Sequence, residues 1–448
     1  MTKDSKEEDE PRKRIDEHKN LFVELLQIMA DRPELIENED RIKSLIAKIN
    51  RKARKEKRTA NKQAVKSEDQ AKRAASLLFQ ANDERKPTAL PLENGSDFRQ
   101  LEKAQNCYIC KQPYRQLHHF YHLLCPACAR QNFEYRLQKA DLKGRIALVT
   151  GGRIKIGQEI SLMLLRWGAQ VIVTTRFPEN ARESFRTFAD WDEWQDRLQI
   201  VGLDLRNLPA VDDFIQNLNA DLPHLDLIIN NACQTIKRPL AFYAPLLEKE
   251  GKTHLLESET SLIPFLNDAH FPKGKLDIYR QQIDLRPQNS WTETLAEVSL
   301  QDMLEVQLVN VTAPFMLNSQ LKSLLEKSPF ERRFIVNVSA MEGVFNRKYK
   351  SPWHPHTNMA KAALNMMTRT SANDYAESGI YMNSVDTGWI TDENPAPKRE
   401  RLRDQGFVAP LDVVDGAARV LAPVVNGINQ VETPIFGHFI KDYQISPW

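Results

Sequence analysis

Residues Gly144–Arg176, GRIALVTGGRIKIGQEISLMLLRWGAQVIVTTR, contain the pattern that decides the fold. The run Ile146–Thr150 is apolar and β-branched, which is typical of a strand buried on both faces of a parallel sheet. Apolar residues then recur at roughly helical spacing from Ile156, and Gly168 is placed to end that helix. A second apolar run, 171–175, completes a strand–helix–strand unit. The turn between such a strand and helix binds pyrophosphate through free amides and the positive helix end.

Length and composition limit the classes of protein to which this chain can belong. A chain of 448 residues with 41% hydrophobic residues is long enough for a large core with additional modules. It has no apolar run of about eighteen residues, and its first residues are charged, so we expect neither a membrane span nor a signal peptide. Four of the five cysteines form two CxxC pairs, which favours metal binding in a reducing, cytoplasmic compartment.

Residues 1–100 are predicted to form a charged helical region. An apolar stripe at helical spacing runs from Ile15 to Met29, and 82–97 is typical of a linker. Between Arg41 and Arg73 there are thirteen Lys or Arg against three Asp or Glu. This excess favours either a surface for nucleic acid or an acidic protein partner, or a solvated helix without a ligand. Aromatic residues are missing from the run, so bases would have nothing to stack on.

The CxxC pairs define a predicted zinc-knuckle module over 101–138. Two such pairs separated by fourteen residues can place four thiolates around one zinc ion. A zinc with four protein ligands is structural, because no position is left for substrate. Redox chemistry is the alternative for a CxxC pair, and three histidines between the pairs are substitute or supporting ligands. The predicted ligands are Cys107, Cys110, Cys125 and Cys128.

The turn at 150–157, TGGRIKIG, resembles the T-G-x-x-x-G-x-G fingerprint of the short-chain dehydrogenase/reductase superfamily. Lys155 stands where that fingerprint has its middle glycine. A glycine lets the backbone approach the phosphates closely, whereas a lysine adds a charge that can itself meet phosphate. The resemblance implies cofactor contacts from Thr150, Gly151, Arg153, Lys155, Ile156 and Gly157.

Further landmarks of the superfamily follow in order. Arg176 ends the second strand, where an arginine suits the 2′-phosphate of NADP and a carboxylate would select NAD. The resemblance then implies cofactor contacts from the end of a third strand and from the Asn-Asn-Ala-Gly motif, whose glycine is Cys233 here. Those residues are Asp204, Leu205, Asn231 and Ala232. The resemblance runs from about Lys143 to the C-terminus and predicts a doubly wound, Rossmann-type α/β domain over 141–448. NADP is the expected cofactor, with NAD as the alternative.

An insertion at about 235–297 separates the family landmarks Asn231 and Asn310 by more residues than the family needs. We expect either a lid that recognises substrate or a feature that docks a protein.

The resemblance also implies a catalytic set, with one departure. Asn310 matches the asparagine that holds a water in the family's proton relay, and Ser339 matches the serine that orients substrate. Lys361 matches the lysine of Tyr-x-x-x-Lys, which also contacts cofactor, but Thr357 replaces the tyrosine. An aliphatic hydroxyl is far too weak an acid to replace a phenol. Thr391 matches a hydroxyl expected near the carboxamide of the cofactor.

Two residues before the Lys361 helix are candidate replacement acids. His356 is adjacent to Thr357 and has an ordinary pKa near neutrality, whereas Tyr349 would have to fold back from its loop. For either residue, the alternative is an ordinary loop side chain.

The sequence thus supports two functions. The first is an atypical NADP-dependent oxidoreductase of unknown substrate, favoured by the joint presence of Asn310, Ser339 and Lys361. The second is a dinucleotide-sensing or scaffold protein whose basic helices and zinc knuckle engage a macromolecular partner. Assembly as a homo-oligomer is compatible with both.

Overall fold

The computed structural model describes residues 9–82, 99–252, 270–272, 274–277, 281–390 and 393–448. Four of the sequence predictions therefore fall wholly or partly outside the described residues: the first eight residues of the charged region, the linker from residue 83 onward, the middle of the insertion, and Thr391. The chain divides into two compact units, Met1–Asp69 and Gln70–Trp448.

The α-helices are α1 (Asp9–Asp31), α2 (Asp40–Ala74), α3 (Leu77–Asn82), α4 (Pro126–Leu137), α5 (Lys155–Arg166), α6 (Pro178–Phe185), α7 (Trp191–Trp194), α8 (Leu208–Asp221), α9 (Ala244–Lys249), α10 (Leu300–Gln307), α11 (Ala313–Gln320), α12 (Lys322–Glu326), α13 (Pro355–Glu377), α14 (Ala396–Asp404) and α15 (Val413–Asn429). The strands are β1 (Arg99–Asn106), β2 (Pro113–Leu117), β3 (Ile146–Thr150), β4 (Gln170–Thr175), β5 (Leu198–Gly202), β6 (Leu227–Asn230), β7 (Arg333–Ser339), β8 (Ile380–Asp386), β9 (Phe439–Lys441) and β10 (Gln444–Ser446).

The N-terminal unit consists of α1 and most of α2. The apolar stripe of α1 stays exposed, with Ile15, Leu21 and Phe22 each more than half accessible. The basic run lies on α2, whose side chains are exposed over most of the helix. Binding of a protein or nucleic acid by this unit stays a prediction. Among the described helices, none has the length and apolar character needed to span a membrane.

The larger unit is built on one eight-stranded sheet. Its strand order is β10-β9-β8-β7-β6-β3-β4-β5, and every neighbouring pair is parallel except β9 with β10. The chain runs outward from β3 through β4 to β5, and then returns to β6 on the other side of β3. Ligands of open α/β sheets bind outside the carboxyl ends of the strands at such a reversal. The predicted doubly wound fold is confirmed.

Helices cover both faces of this sheet, which explains the continuous apolar runs in its strands. Within β3, Ala147 and Val149 pack into the core that includes α5 and α15, whereas Ile146 and Leu148 pack into the core that includes α8 and α13. The strand is therefore buried on both faces, as the sequence predicts.

Candidate functional site

A cavity of about 840 Å³ lies where the sheet topology places a ligand. Its walls include the residues that follow six neighbouring strands, β3 to β8, at their carboxyl ends. Those wall residues include 151–157 without Gly152, 174–177, 203–206, 231–236, 338–342 and 386–390.

The turn after β3 is shaped for close approach. Gly151 has φ +68°, and a Cβ added to Gly157 would lie 2.3 Å from the Gly151 carbonyl oxygen. The Asn231 side-chain amide donates to the Thr150 carbonyl oxygen at 3.0 Å, and the Ala232 amide donates to the Thr150 hydroxyl at 3.0 Å. The predicted residues of this turn are thus held together beside the start of α5, where free amides suit a pyrophosphate.

Lys155 keeps the backbone shape of the glycine that it replaces. Its φ of +54° lies in the left-handed region that glycine adopts without steric cost. Its ammonium lies 3.8 Å from a Glu393 carboxylate oxygen, and both residues line the cavity. The substitution therefore preserves the turn and places a charged pair on the cavity wall.

Three arginines meet around Tyr243 beyond the end of β4. Arg153, Arg176, Arg238 and Tyr243 all line the cavity, and the Arg176 guanidinium lies 4.6 Å from the centre of the Tyr243 ring. Burial alone would raise the pKa of Tyr243, but the charges of Arg176, Arg238 and Arg153 outweigh burial and lower it. Burial lowers the pKa of the Arg153 guanidinium to about 10. This end of the cavity is built for an anion.

Asp204 and Leu205 line the same half of the cavity. The Arg206 guanidinium donates to both Asp204 carboxylate oxygens, at 3.0 Å from Nε to Oδ1 and 2.7 Å from Nη2 to Oδ2. Burial opposes ionisation of Asp204, but these bonds and the Arg206 backbone amide lower its pKa overall. A charged Asp204 is therefore already paired, and Leu205 supplies apolar surface beside it.

Ser339, Thr357 and Lys361 line the other end of the cavity. The Lys361 ammonium donates to the Val338 carbonyl oxygen at 2.7 Å. The Ser339 and Thr357 hydroxyls are buried and, among the described residues, have no hydrogen-bond partner. Buried hydroxyls without partners are rare in folded proteins, and both of these belong to residues that line the cavity.

Asn310 lies near this end but does not line the cavity. It sits in a π-helical segment, Leu308–Thr312, between α10 and α11. Its side chain accepts from the Gln234 amide at 2.8 Å and donates to the Gln234 carbonyl at 3.2 Å. Both polar atoms of the Asn310 side chain therefore bond the backbone of the loop that follows β6. In this structure Asn310 holds that loop in place.

The structure brings neither candidate acid to the cavity wall. Tyr349 is 75% exposed in the loop before α13. His356 is only 2% exposed, and burial lowers its pKa, so its ring is neutral near pH 7. On a helix, His356 points about 100° away from its neighbour Thr357, which does line the cavity.

The insertion contributes cavity residues that sequence reasoning did not single out. Arg238 and Tyr243 contribute to the arginine-rich end of the cavity. Trp291 also lines the cavity, and its ring stacks on His354 with 3.9 Å between centroids.

Asp386, the last residue of β8, is another cavity residue that the sequence did not predict. Its carboxylate accepts from the Gly388 and Met341 amides at 2.6 and 3.1 Å, and burial raises its pKa. The only sequence signal for these residues was their place in an unusually long segment or directly after a strand.

The four cysteines converge as predicted. Each can offer a sulfur atom within 4.8 Å of the others, and the Cys110 and Cys125 sulfurs are 3.7 Å apart. A tetrahedron with metal–sulfur bonds of about 2.3 Å has edges of about 3.8 Å, so the donor set fits zinc. Two of the three histidines between the pairs bond elsewhere: His118 Nδ1 accepts from the Phe120 amide, and His122 Nε2 lies 3.2 Å from the Val408 carbonyl oxygen.

Two family models match the chain. The model described as short chain dehydrogenase matches residues 145–245, and that described as enoyl-(acyl carrier protein) reductase matches residues 257–406.

Curated relatives include an uncharacterized protein of Acanthamoeba polyphaga mimivirus, which is 33% identical over an alignment of 341 residues that covers 71% of this chain and 71% of that protein. The chain is also similar to the fatty acyl-CoA reductase of Acinetobacter baylyi, at 31% identity over 23% of this chain and 34% of that protein. It is similar to the NADP-dependent 3-hydroxy acid dehydrogenase YdfG of Escherichia coli, at 34% identity over 19% of this chain and 33% of that protein. The chain thus matches only about a third of the length of these two enzymes.

Similar solved structures include the Pseudomonas aeruginosa RhlG/NADP active-site complex. Its TM-score is 0.45, its identity 20%, and the match covers 67% of this chain and 95% of that one. A short chain dehydrogenase from Burkholderia cenocepacia in complex with NADP has a TM-score of 0.46 and 21% identity, covering 67% and 97% of the two chains.

Proposed function

Because the chain belongs to the short-chain dehydrogenase/reductase superfamily, we propose that it is an NADP-dependent oxidoreductase that interconverts a carbonyl and an alcohol. The observation that carries this proposal is one cavity with an arginine cluster at one end and Ser339, Thr357 and Lys361 at the other. When bound, the nicotinamide of the cofactor supplies or accepts the hydride.

The residues present fit the cofactor. Gly157 lets α5 pack closely against the turn, since a side chain there would collide with Gly151 and Asn231, and this packing would set the backbone amides of the turn beside the pyrophosphate. Lys155 adds a cation at the same turn. Leu205 and Asp204 would flank the adenosine half, as the family resemblance implies.

The preference for NADP rests on Arg153, Arg176 and Arg238. Arg153 donates to the Asn180 side-chain oxygen at 2.7 Å, but this amide is neutral and does not balance the charge of the arginine. Arg238 has Asp284 at 3.8 Å, but Asp284 is also bonded by Arg286 at 2.7 Å. A phosphate dianion would compensate the excess positive charge here, whereas a free ribose hydroxyl would not.

The opposite end would hold the substrate oxygen. The Ser339 and Thr357 hydroxyls would donate to it, because both residues line the cavity and neither hydroxyl has another partner among the described residues. Lys361 uses one ammonium hydrogen on Val338 and retains others. In the reducing direction, the ammonium would give a proton to the oxygen, directly or through the Thr357 hydroxyl, and would regain one from solvent.

We further propose that Cys107, Cys110, Cys125 and Cys128 bind one structural zinc ion. The four sulfurs have the separation that a tetrahedral site needs. Elemental analysis of freshly purified protein should find close to one zinc per chain, and Cys107→Ser should lose it. Protein that folds and contains no metal would contradict this assignment.

Calorimetric titration tests the cofactor. We expect NADPH to bind at least about tenfold more tightly than NADH, because two or more charge-assisted bonds distinguish them. Arg176→Asp should abolish or reverse the preference, and Arg182→Asp, a surface arginine of α6, should leave it intact. Equal affinity for both cofactors would reject the NADP preference, and no binding of either would reject the proposed function.

A further inference from the structure

We propose that the zinc-knuckle module shapes one wall of the cofactor cavity, so that metal loading of the four cysteines controls dinucleotide affinity. This inference rests on the proposed function, since it concerns binding of NADPH. In this inference the module affects cofactor binding in addition to stabilising the fold. The link between metal and cofactor is a chain of contacts that leads from the cysteines to the loop after β8.

The first contact is a hydrogen bond from the loop to the knuckle. Tyr108 lies between the ligands Cys107 and Cys110, and its hydroxyl accepts from the Trp389 backbone amide at 2.9 Å. Trp389 lies in the loop that follows β8, and both residues line the cavity. A shift of the knuckle therefore removes the partner of a backbone amide in the cavity wall.

The knuckle also presents a cation to the cavity. Lys111 follows Cys110 directly, lines the cavity, and has φ +61°. Its amide donates to the Cys107 carbonyl oxygen at 3.1 Å, and its ammonium bonds the Tyr108 carbonyl oxygen. The turn that carries Lys111 is thus closed on the backbone of a metal ligand, and its left-handed conformation depends on that closure.

Apolar packing continues the same wall. The module core, which contains Cys107, Leu124 and Phe133, also contains Ile390, and Ile156 packs against it. Ile156 is the second residue of α5, directly after the turn that follows β3, and Ile390 follows Trp389. Both line the cavity, so the core behind the cysteines supports two of its segments.

The module is attached to the sheet domain by contacts that do not involve the cysteines. Arg136 in α4 donates to Asp412 at 2.6 Å and lies 2.9 Å from Asp415, at the start of α15. The Tyr121 hydroxyl donates to Asp415 at 2.5 Å. These buried bonds do not involve the cysteines, so we expect metal loss to loosen the knuckle without detaching the module.

The experiment compares full-length protein as purified, after removal of zinc by a chelator, and after zinc is restored. Metal content, far-UV circular dichroism and NADPH affinity are measured on each sample. We expect the dissociation constant for NADPH to rise more than about tenfold on metal removal and to recover with zinc, because several wall contacts are lost together.

A matched pair of variants separates the wall contact from the metal site. Tyr108→Phe should keep its zinc and weaken NADPH binding about two- to tenfold, which is the effect of one hydrogen bond. Tyr135→Phe is the control, because its hydroxyl contacts Asn426 at 3.4 Å and does not line the cavity. Should chelated protein unfold, this pair decides the question.

The outcomes are distinct. Unchanged NADPH affinity in folded, metal-free protein, or in Tyr108→Phe, overturns this inference and leaves the proposed function standing. Failure of zinc-loaded protein to bind either NADPH or NADH overturns the proposed function itself. Absence of metal in the purified protein overturns the inference at its first step.

Discussion

The two ends of the cavity have departed from the family pattern to different degrees. At the end that we propose for the cofactor phosphates (the phosphate end), the glycine turn keeps its shape even at Lys155, and Arg238 from the insertion adds a guanidinium to the cationic surface. At the other end Thr357 replaces the family's tyrosine, and Tyr108, Trp291 and other residues from added segments form the wall. In the proposed function, the cofactor-binding end therefore gains an added arginine, whereas the end that would transfer the proton lacks the family's acid. Anion binding needs only charge and free amides, whereas proton transfer needs a particular acid.

The largest expected effect concerns the end of the cavity that Ser339, Thr357 and Lys361 line. Lys361→Met should lower turnover by about two to four orders of magnitude, because it removes the proton donor that we propose. NADPH consumption is measured with a panel of aldehydes and ketones, and NADPH affinity by calorimetry. Affinity should fall much less, since the arginine cluster is untouched.

The control for this change is Lys322→Met, which removes an ammonium paired with Asp374. A normal rate for Lys361→Met would contradict the donor role. If Tyr349→Phe abolished turnover instead, the acid would be the exposed tyrosine, and its loop would have to close during the reaction.

The next effect tests whether the module is part of the domain that carries the cavity. Arg136→Met should lower the free energy of unfolding by about 3–5 kcal/mol, because it leaves two buried carboxylates, Asp412 and Asp415, without their cation. Chemical denaturation measures the change. The matched control, Arg166→Met, breaks a half-exposed pair with Asp190 and should cost about 0–1 kcal/mol. Equal losses for the two variants would show that the buried cluster contributes no more than a surface pair.

The smallest effect concerns pH at the phosphate end. The arginines lower the pKa of Tyr243, so its phenolate forms at a lower pH than that of an ordinary tyrosine and cancels one positive charge. NADPH affinity should therefore fall a few-fold as pH rises through that pKa, whereas NADH affinity should not. The titration stays well below pH 10, because burial lowers the pKa of Arg153 to about 10 and Arg153 must keep its charge throughout.

Tyr243→Phe is the informative comparison for this titration, because it keeps the ring and removes the ionisable hydroxyl. Its NADPH affinity should be independent of pH over the same interval. A wild-type affinity that is equally flat would show that Tyr243 stays neutral or lies away from the bound phosphate.

The sequence by itself determined the sheet, the phosphate turn and the cysteine cluster. Buried parallel strands are continuous apolar runs, a glycine turn needs glycines at fixed offsets, and a metal site needs paired thiols. These signals are local, so the sheet, the turn and the cysteine cluster could be predicted without knowledge of distant contacts. The residues that carried the signals were Ile146–Thr150, Gly157 and the CxxC pairs.

Only the tertiary structure decided which side chains share the cavity. Tyr108 and Trp389 are 281 positions apart, and nothing in either segment predicts their hydrogen bond. Tyr243 joins Arg153 and Arg176 because the insertion folds back beside β4, and His356 turns away from the cavity although it adjoins Thr357. Such placements depend on loop paths and helix rotation, which are set by packing between segments distant in sequence and leave no periodic pattern in the chain.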